Sequence, residues 1–247
     1  MSLPGKEIFR SYDEFGPIRI FDDGNKRYLA FGDNDEQSCW LKSSPLLPQH
    51  DYSRAMLLAL LFKKNPKRAL TLGLGSGTLN SCLHHHYPDL HQQIIELRSE
   101  VIKASYKYFQ LPRSNRLELH NDDAFEFLNQ ENEEKFDFIF SDLYGADGLD
   151  EQLLRPEFVP DCYRLLNPDG CLIINLWREH QTSDTLEYLM SEFPTVMGYT
   201  TDCGNWILIA SKSSVTPSTK QLKEHAKKLS YVLGFSMLPF LNKLKVY

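Results

Sequence analysis

The sequence predicts an α/β fold: a Rossmann-like, doubly wound sheet with a small N-terminal β-hairpin element and a C-terminal helical tail. Three observations predict it. From position 68 onward, short apolar runs alternate with helical stretches, the pattern of successive β-α units. Two of those runs, FDFIF (136–140) and CLIINL (171–176), are near-continuously apolar, as in strands covered on both faces. The segment LTLGLGSGTL (70–79) carries a strand through Gly73, Gly75 and Gly77 into a helix, a turn suited to a ligand approaching the backbone. The expected division is an N-terminal β element and connection over 1–50, a Rossmann-like domain over 51–212, and a linker with a basic helical tail over 213–247.

Composition bounds the class. The chain has 247 residues, 42% hydrophobic and 24% charged, enough to bury one large core with appendages, and this excludes disordered, collagenous and low-complexity chains. The longest apolar run, near 55–62, is far shorter than the roughly 20 residues of a membrane helix. No charged-then-apolar leader opens the chain, so a soluble, cytoplasmic protein without membrane contacts is expected. Five cysteines, at 39, 82, 162, 171 and 203, form no CxxC pair and suit neither a disulfide framework nor a zinc site. They are expected to be reduced and mostly buried, and no metal is expected. The net charge of −6 divides unevenly: the segment 212–247 has seven Lys and one Glu, leaving −12 on the rest. An acidic body disfavours nucleic acid and tolerates a cationic small substrate.

The elements follow in order. IRIFDD (18–23), a turn at Gly24 and Asn25, and KRYLAF (26–31) read as a hairpin, with a β element extending to about Trp40. Pro45 and Pro48 punctuate a connection to Asp51, placed to cap a helix over YSRAMLLALLFKK (52–64). Strands are expected at 69–73, 93–97, 117–120, 136–142 and 171–176, each followed by a helical stretch. TVMGYTT and NWILIAS, separated by Asp202, Cys203 and Gly204, read as a closing antiparallel hairpin. Such an edge pair distinguishes a seven-stranded, methyltransferase-type sheet from a plain dinucleotide-binding one. After the linker SSVTPSTK, a helix over 220–233 places Leu222, Ala226, Leu229 and Val232 or Leu233 on one face, which is expected to dock on the acidic body.

Several residues could carry chemistry. The amino end of the helix after Gly77 offers free N–H groups and a positive dipole, with Ser76 in the loop. Glu96 ends the second strand near the roughly 20-residue distance at which a carboxylate meets ribose hydroxyls in this architecture. In HNDDAFEFL the third strand ends before Asp122 and Asp123; Asp123 is assigned to an adenine amino group and Asp122 to the helix cap. The fourth strand delivers Asp142 beside Leu143, Tyr144 and Gly145, where an acid can orient and deprotonate an amine, with burial raising its pKa. His84, His85 and His86 point in different directions on a helix and read as solvated or packing residues. Trp177 and Glu179 follow the fifth strand, where a Trp is more often core than pocket wall. Lys223, Lys227 and Lys228 read as a solvated face.

With these residues in place, the chain from about 29 to 211 resembles the spermidine synthase family, a branch of the methyltransferase-fold transferases. ALTLGLGSGTL is similar to its glycine loop, IIELRSEVIKAS to its acidic second strand and following helix, DDAFEFL to its GDAxxFL, and FDFIFSDLYG to its YDVIIxDxxD. The resemblance implies that Glu96 binds the nucleoside ribose, Asp123 the adenine side, and Asp142 the catalytic position. It further implies that Gln37 contacts the nucleoside, that Tyr52 stands before the helix leading into the core, and that the protein is a homodimer. Three departures stand against it. Ser76 replaces the loop Asp that holds the ammonium of decarboxylated S-adenosylmethionine, Gly145 replaces a diamine-seating acid, and Arg98 replaces an acid after the ribose-binding Glu.

The expected activity is therefore a spermidine-synthase-like transfer of an alkyl group from S-adenosylmethionine (SAM) or its decarboxylated form to a small amine such as a polyamine. Methyl transfer is favoured, because the Ser76 hydroxyl and loop N–H groups can accept the carboxylate of ordinary SAM. True aminopropyl transfer is the alternative. A non-catalytic nucleoside-binding protein is the alternative of another class, and a nicotinamide dehydrogenase is disfavoured by the closing hairpin.

Overall fold

The computed structural model describes residues 3–32, 36–130, 134–145, 148–150, 153 and 155–247. The N-terminal element is larger than the expected hairpin. Strands β1 (Lys6–Asp13), β2 (Gly16–Asp23), β3 (Lys26–Ala30) and β4 (Glu36–Leu41) form a four-stranded antiparallel sheet in chain order. The expected hairpin is its β2–β3 centre, and Gly24 takes the first turn position with a φ of +60°. β1 escaped notice because none of its residues is fully buried, so no apolar run marks it. Ile18, Ile20, Leu29, Phe31 and Trp40 on this sheet pack against Val101, Ala104 and Phe109, fixing the sheet to the main domain.

That domain carries α1 (Asp51–Met56), β5 (Arg68–Leu72), α2 (Thr78–His86), β6 (His91–Glu96), α3 (Ser99–Tyr108), β7 (Leu117–Asn121), α4 (Ala124–Asn129) and β8 (Phe136–Ser141). A short ribbon, β9 (Tyr144–Gly145) with β10 (Gly148–Leu149), precedes α5 (Phe158–Leu165), β11 (Leu166–Trp177), α6 (Ser183–Glu192), β12 (Thr195–Thr200) and β13 (Asn205–Ser211). The tail adds α7 (Thr219–Leu233), α8 (Leu238–Lys243) and β14 (Lys245–Val246). The strands form one sheet in the order β14-β12-β13-β11-β8-β5-β6-β7, parallel from β11 to β7 and antiparallel beyond. The reversals in strand order place the carboxyl ends of β5, β6 and β8 along one crevice.

Alternation through the apolar runs explains why they are continuous. Phe138, Phe140, Ile173 and Ile209 face one core, with α1, α2, α7 and α8; Ile139, Leu172, Ile174 and Leu208 face the other, with α4, α5 and α6. Four cysteines are buried, and Cys203 is exposed.

Three local expectations are corrected. Asp51 lies inside α1 instead of capping it; His50 is the N-cap, and the Asp51 charge meets the positive helix end. The helix expected over 52–64 leaves α geometry at Met56 and continues as a 3₁₀ turn, Leu57–Leu61, whose five residues are all buried. The tail is not only helical. α7 buries Ala226, Leu229 and Leu233 while Val232 points outward, and β14 then pairs with β12 as an eighth strand. Two residues are too short a strand to leave a periodic signal. Among the described residues no helix is long and apolar enough to cross a membrane.

Candidate active site

The crevice is a cavity of about 840 Å³. Its floor is the glycine loop. Gly73 has a φ of +87°, and a Cβ there would stand 2.3 Å from the Asp142 carbonyl oxygen, so only glycine lets β5 and β8 deliver their ends side by side. At Gly75, with a φ of +54°, a Cβ would stand 2.8 Å from the Ser38 hydroxyl of β4. Ser38 also accepts the Ser76 N–H at 3.1 Å, so the N-terminal sheet holds the loop down. Ser76 is buried, and its hydroxyl pairs with that of Thr78 at 2.9 Å. Gly77 is the N-cap of α2 and lies behind the cavity wall.

Glu96 stands at the end of β6 with both carboxylate oxygens held by backbone, Oε2 accepting from Leu74 N at 2.9 Å and Oε1 from Arg98 N at 2.9 Å. Burial pushes its pKa up, and these two donors oppose the rise. Arg98 faces away from any role as an acid's substitute. It forks onto Asp13 at 3.0 and 2.8 Å, donates to the Gly16 carbonyl at 2.8 Å and lies 4.4 Å over the Phe31 ring, tying the β1–β2 turn to β6.

The two acids of the third strand exchange one expected role. Asp123, not Asp122, caps α4, accepting from the N–H groups of Phe125 and Glu126 through Oδ1 at 2.8 and 3.1 Å. Asp122 accepts the Asp123 N–H at 2.9 Å and lies outside the wall, whereas Asp123 lines it. One residue therefore both caps and faces the cavity, because a β-to-α turn presents the N-cap toward the crevice. Gln37 lines the cavity as well.

At the other end, Asp142 is enclosed. Its Oδ1 accepts from Asn175 Nδ2 at 2.8 Å, and the Tyr52 hydroxyl donates to it. Burial raises its pKa, with Asn175 and Tyr52 opposing. Tyr52 stacks on His50, with ring centroids 5.3 Å apart, and its phenol is pushed well above the ordinary range by burial and then by the Asp142 charge. Sequence reasoning missed the support behind Asp142. Asn175 Oδ1 accepts from Asn205 Nδ2 at 3.1 Å, and the Asn205 N–H donates to the Thr201 hydroxyl at 2.9 Å. Buried Asn175 interrupts the apolar run of β11 and buried Asn205 opens that of β13, and that is the signal that could have found them.

Tyr144 donates to the Asn175 carbonyl at 3.1 Å and meets Trp177 edge-on at 6.1 Å. Trp177 is 37% exposed and lines the cavity, correcting its assignment to the core; Glu179 lies outside the wall. Asp150 lines the cavity, and Asp147 lies outside the described residues. Among the described residues six carboxylates, those of Glu14, Glu36, Glu96, Asp123, Asp142 and Asp150, face this space, and the one arginine in the wall, Arg98, is paired with Asp13. Such a cavity suits a cationic ligand. Among the described residues no group of three or more His, Cys, Asp or Glu side chains is placed to hold a metal ion.

Comparison with known proteins follows this geometry. Residues 50–213 match the model of the spermine/spermidine synthase domain. The chain is 28% identical over 204 residues to a polyamine aminopropyltransferase of Vibrio vulnificus, a match spanning 79% of this chain and 66% of that protein. A probable spermidine synthase from Corynebacterium glutamicum superposes with a TM-score of 0.75 at 20% identity, covering 93% of this chain and 88% of that one. Human Methyltransferase-like protein 13, solved in complex with SAH, superposes with a TM-score of 0.67 at 22% identity, covering 75% of this chain and 93% of that one. The sheet order, the loop and the acids at the strand ends thus come with a family match over most of the chain, which is a transferase belonging to the spermine/spermidine synthase family.

Proposed function

We propose that the chain transfers an aminopropyl group from decarboxylated SAM to a small amine, of which a diamine is the first to try. The expectation of methyl transfer gives way to its alternative for a reason internal to the loop. Ser76 is expected to receive the carboxylate of SAM, yet its N–H is bonded to the Ser38 hydroxyl, and its own hydroxyl shares with that of Thr78 a hydrogen bond in which either can donate. The surrounding wall is acidic, so a carboxylate on the donor would meet repulsion where a second cation would meet attraction. The family match and the polyamine aminopropyltransferase relative favour the same reading.

In this reading Glu96 receives the ribose hydroxyls on the lone pairs its two backbone donors leave open, and Asp123 and Gln37 face the rest of the nucleoside. The donor's sulfonium makes the adjoining methylene electrophilic. An amine nitrogen attacks that carbon, the C–S bond pair passes to sulfur, and methylthioadenosine leaves as a neutral thioether. Asp142 accepts a hydrogen bond from the amine, aligns its lone pair and takes the proton the nitrogen sheds. Tyr52 and Asn175 fix the carboxylate, with Asn205 fixing Asn175 behind it. Tyr144 and Trp177 form an apolar flank for the acceptor's carbon chain. A non-catalytic nucleoside-binding protein would leave this buried, raised-pKa acid without a purpose.

Methyl transfer remains the second reading, favoured by the missing acids at Ser76 and Gly145 and by the likeness to a methyltransferase-like fold. The coproduct decides between them. With purified protein, a panel of amines and each donor in turn, release of methylthioadenosine from decarboxylated SAM is expected. Release of S-adenosylhomocysteine from SAM, with the decarboxylated donor inert, would overturn the proposal.

A further inference from the structure

We infer that Glu36 is the carboxylate that receives the donor's terminal ammonium, replacing the acid that the glycine loop lacks at Ser76. This rests on the aminopropyl reading above. The register of β4 with β3 slips by one residue: Leu29 faces Ser38, but Ala30 faces Glu36, leaving Gln37 as the extra residue of a bulge. A regular strand sends alternate side chains to opposite faces, and a bulge re-aims them. Consecutive residues Glu36, Gln37, Ser38 and Cys39 accordingly all reach the cavity wall.

Ser38 fixes where that wall meets the loop. Its hydroxyl accepts the Ser76 N–H and stands 2.8 Å from the Cβ position of Gly75. Glu36 is two residues along the same strand, a Cα displacement of at most about 7 Å. That is within the reach of a glutamate side chain toward the space in front of Ser76. Glu36 on β4 and Ser76 in the loop therefore line the same cavity.

Burial raises the Glu36 pKa, and the charge of Lys26 opposes the rise. Glu36 Oε1 lies 3.4 Å from His50 Nε2, and that nitrogen is buried with no hydrogen-bond partner among the described residues. Burial lowers the His50 pKa, so the imidazole is neutral and does not balance the carboxylate. Buried polar atoms left incomplete within a protein are the exception, and His50 Nε2 is one. An ammonium, with three donors, serves it and the carboxylate together: one N–H to Glu36 Oε1 and one to His50 Nε2, with the imidazole proton on Nδ1. The same carboxylate would repel the carboxylate of ordinary SAM, so Glu36 also sets the preference between donors.

The test compares Glu36→Gln with wild type by calorimetry, using decarboxylated SAM, SAM and methylthioadenosine, which has the nucleoside and lacks the charged chain. The variant is expected to lose about tenfold or more in affinity for decarboxylated SAM and less than about twofold for methylthioadenosine, and its preference for decarboxylated SAM over SAM should shrink. Unchanged affinity of the variant for decarboxylated SAM overturns the inference, as does an equal loss for methylthioadenosine. Failure of the underlying reading looks different. There, the wild type itself binds SAM more tightly than the decarboxylated donor, or binds neither, whatever stands at position 36.

Discussion

The two ends of the cavity are built on different plans. At the end proposed for the nucleoside, each acid sits at the carboxyl end of a parallel strand and is held by backbone: Glu96 by the N–H groups of Leu74 and Arg98, Asp123 by those of Phe125 and Glu126. At the end proposed for the acceptor, Asp142 is held by side chains brought from far along the chain, Tyr52 from α1 and Asn175 from β11, with Asn205 of β13 behind. A backbone-held acid comes with its turn, so its placement follows from local sequence. A side-chain-held acid needs the whole sheet assembled first. The first plan suits binding a constant ligand, the second tuning the charge of one group.

This contrast predicts effects of different kind and size. The largest belongs to Asp142→Asn, expected to lower turnover by about 10²- to 10⁴-fold while donor affinity stays near that of wild type, as read by initial rates and calorimetry. The variant should also melt at or above the wild-type temperature at neutral pH. Burial raises the folded-state pKa of Asp142, so the folded protein binds this proton more tightly than the unfolded chain does. Its charge therefore costs stability once the pH exceeds both values, and the cost fades as pH falls through the raised pKa toward the ordinary one. Turnover should follow the opposite course, falling as acid protonates the carboxylate in that window. A variant that loses donor affinity along with turnover would erase the distinction between the two ends.

A smaller effect is expected at the other end. Glu96→Gln sets an amide N–H₂ against one of two backbone donors, and about a tenfold loss of affinity for methylthioadenosine should follow, with turnover at saturating donor within about threefold of wild type. A large loss of saturated turnover instead would place Glu96 in the chemistry.

The same contrast governs what the sequence made legible. The glycine loop, Glu96 and Asp142 were readable because strand-end positions carry chemistry in a doubly wound sheet and the motifs are short and contiguous. The cap assignment at Asp122 and Asp123 went astray because one side chain does both jobs there. Asn175 and Asn205 lie 30 residues apart, and only the adjacency of β11 and β13 in the sheet makes them one network. The fate of Ser76 was equally hidden: its partner Ser38 lies 38 residues away on a strand whose bulge no periodicity announces. The two-residue strand β14 fell below any periodic signal, although α7, earlier in the tail, was plain from its apolar face.

The central claim is that an acidic cavity whose Ser76 N–H is bonded to Ser38 expects a donor without a carboxylate. Calorimetric titration of the wild-type protein with decarboxylated SAM and with SAM, side by side, tests it most directly. The account predicts tighter binding of decarboxylated SAM by more than about 1.4 kcal/mol, a tenfold ratio. Tighter binding of SAM by the same margin would contradict it and return methyl transfer to first place.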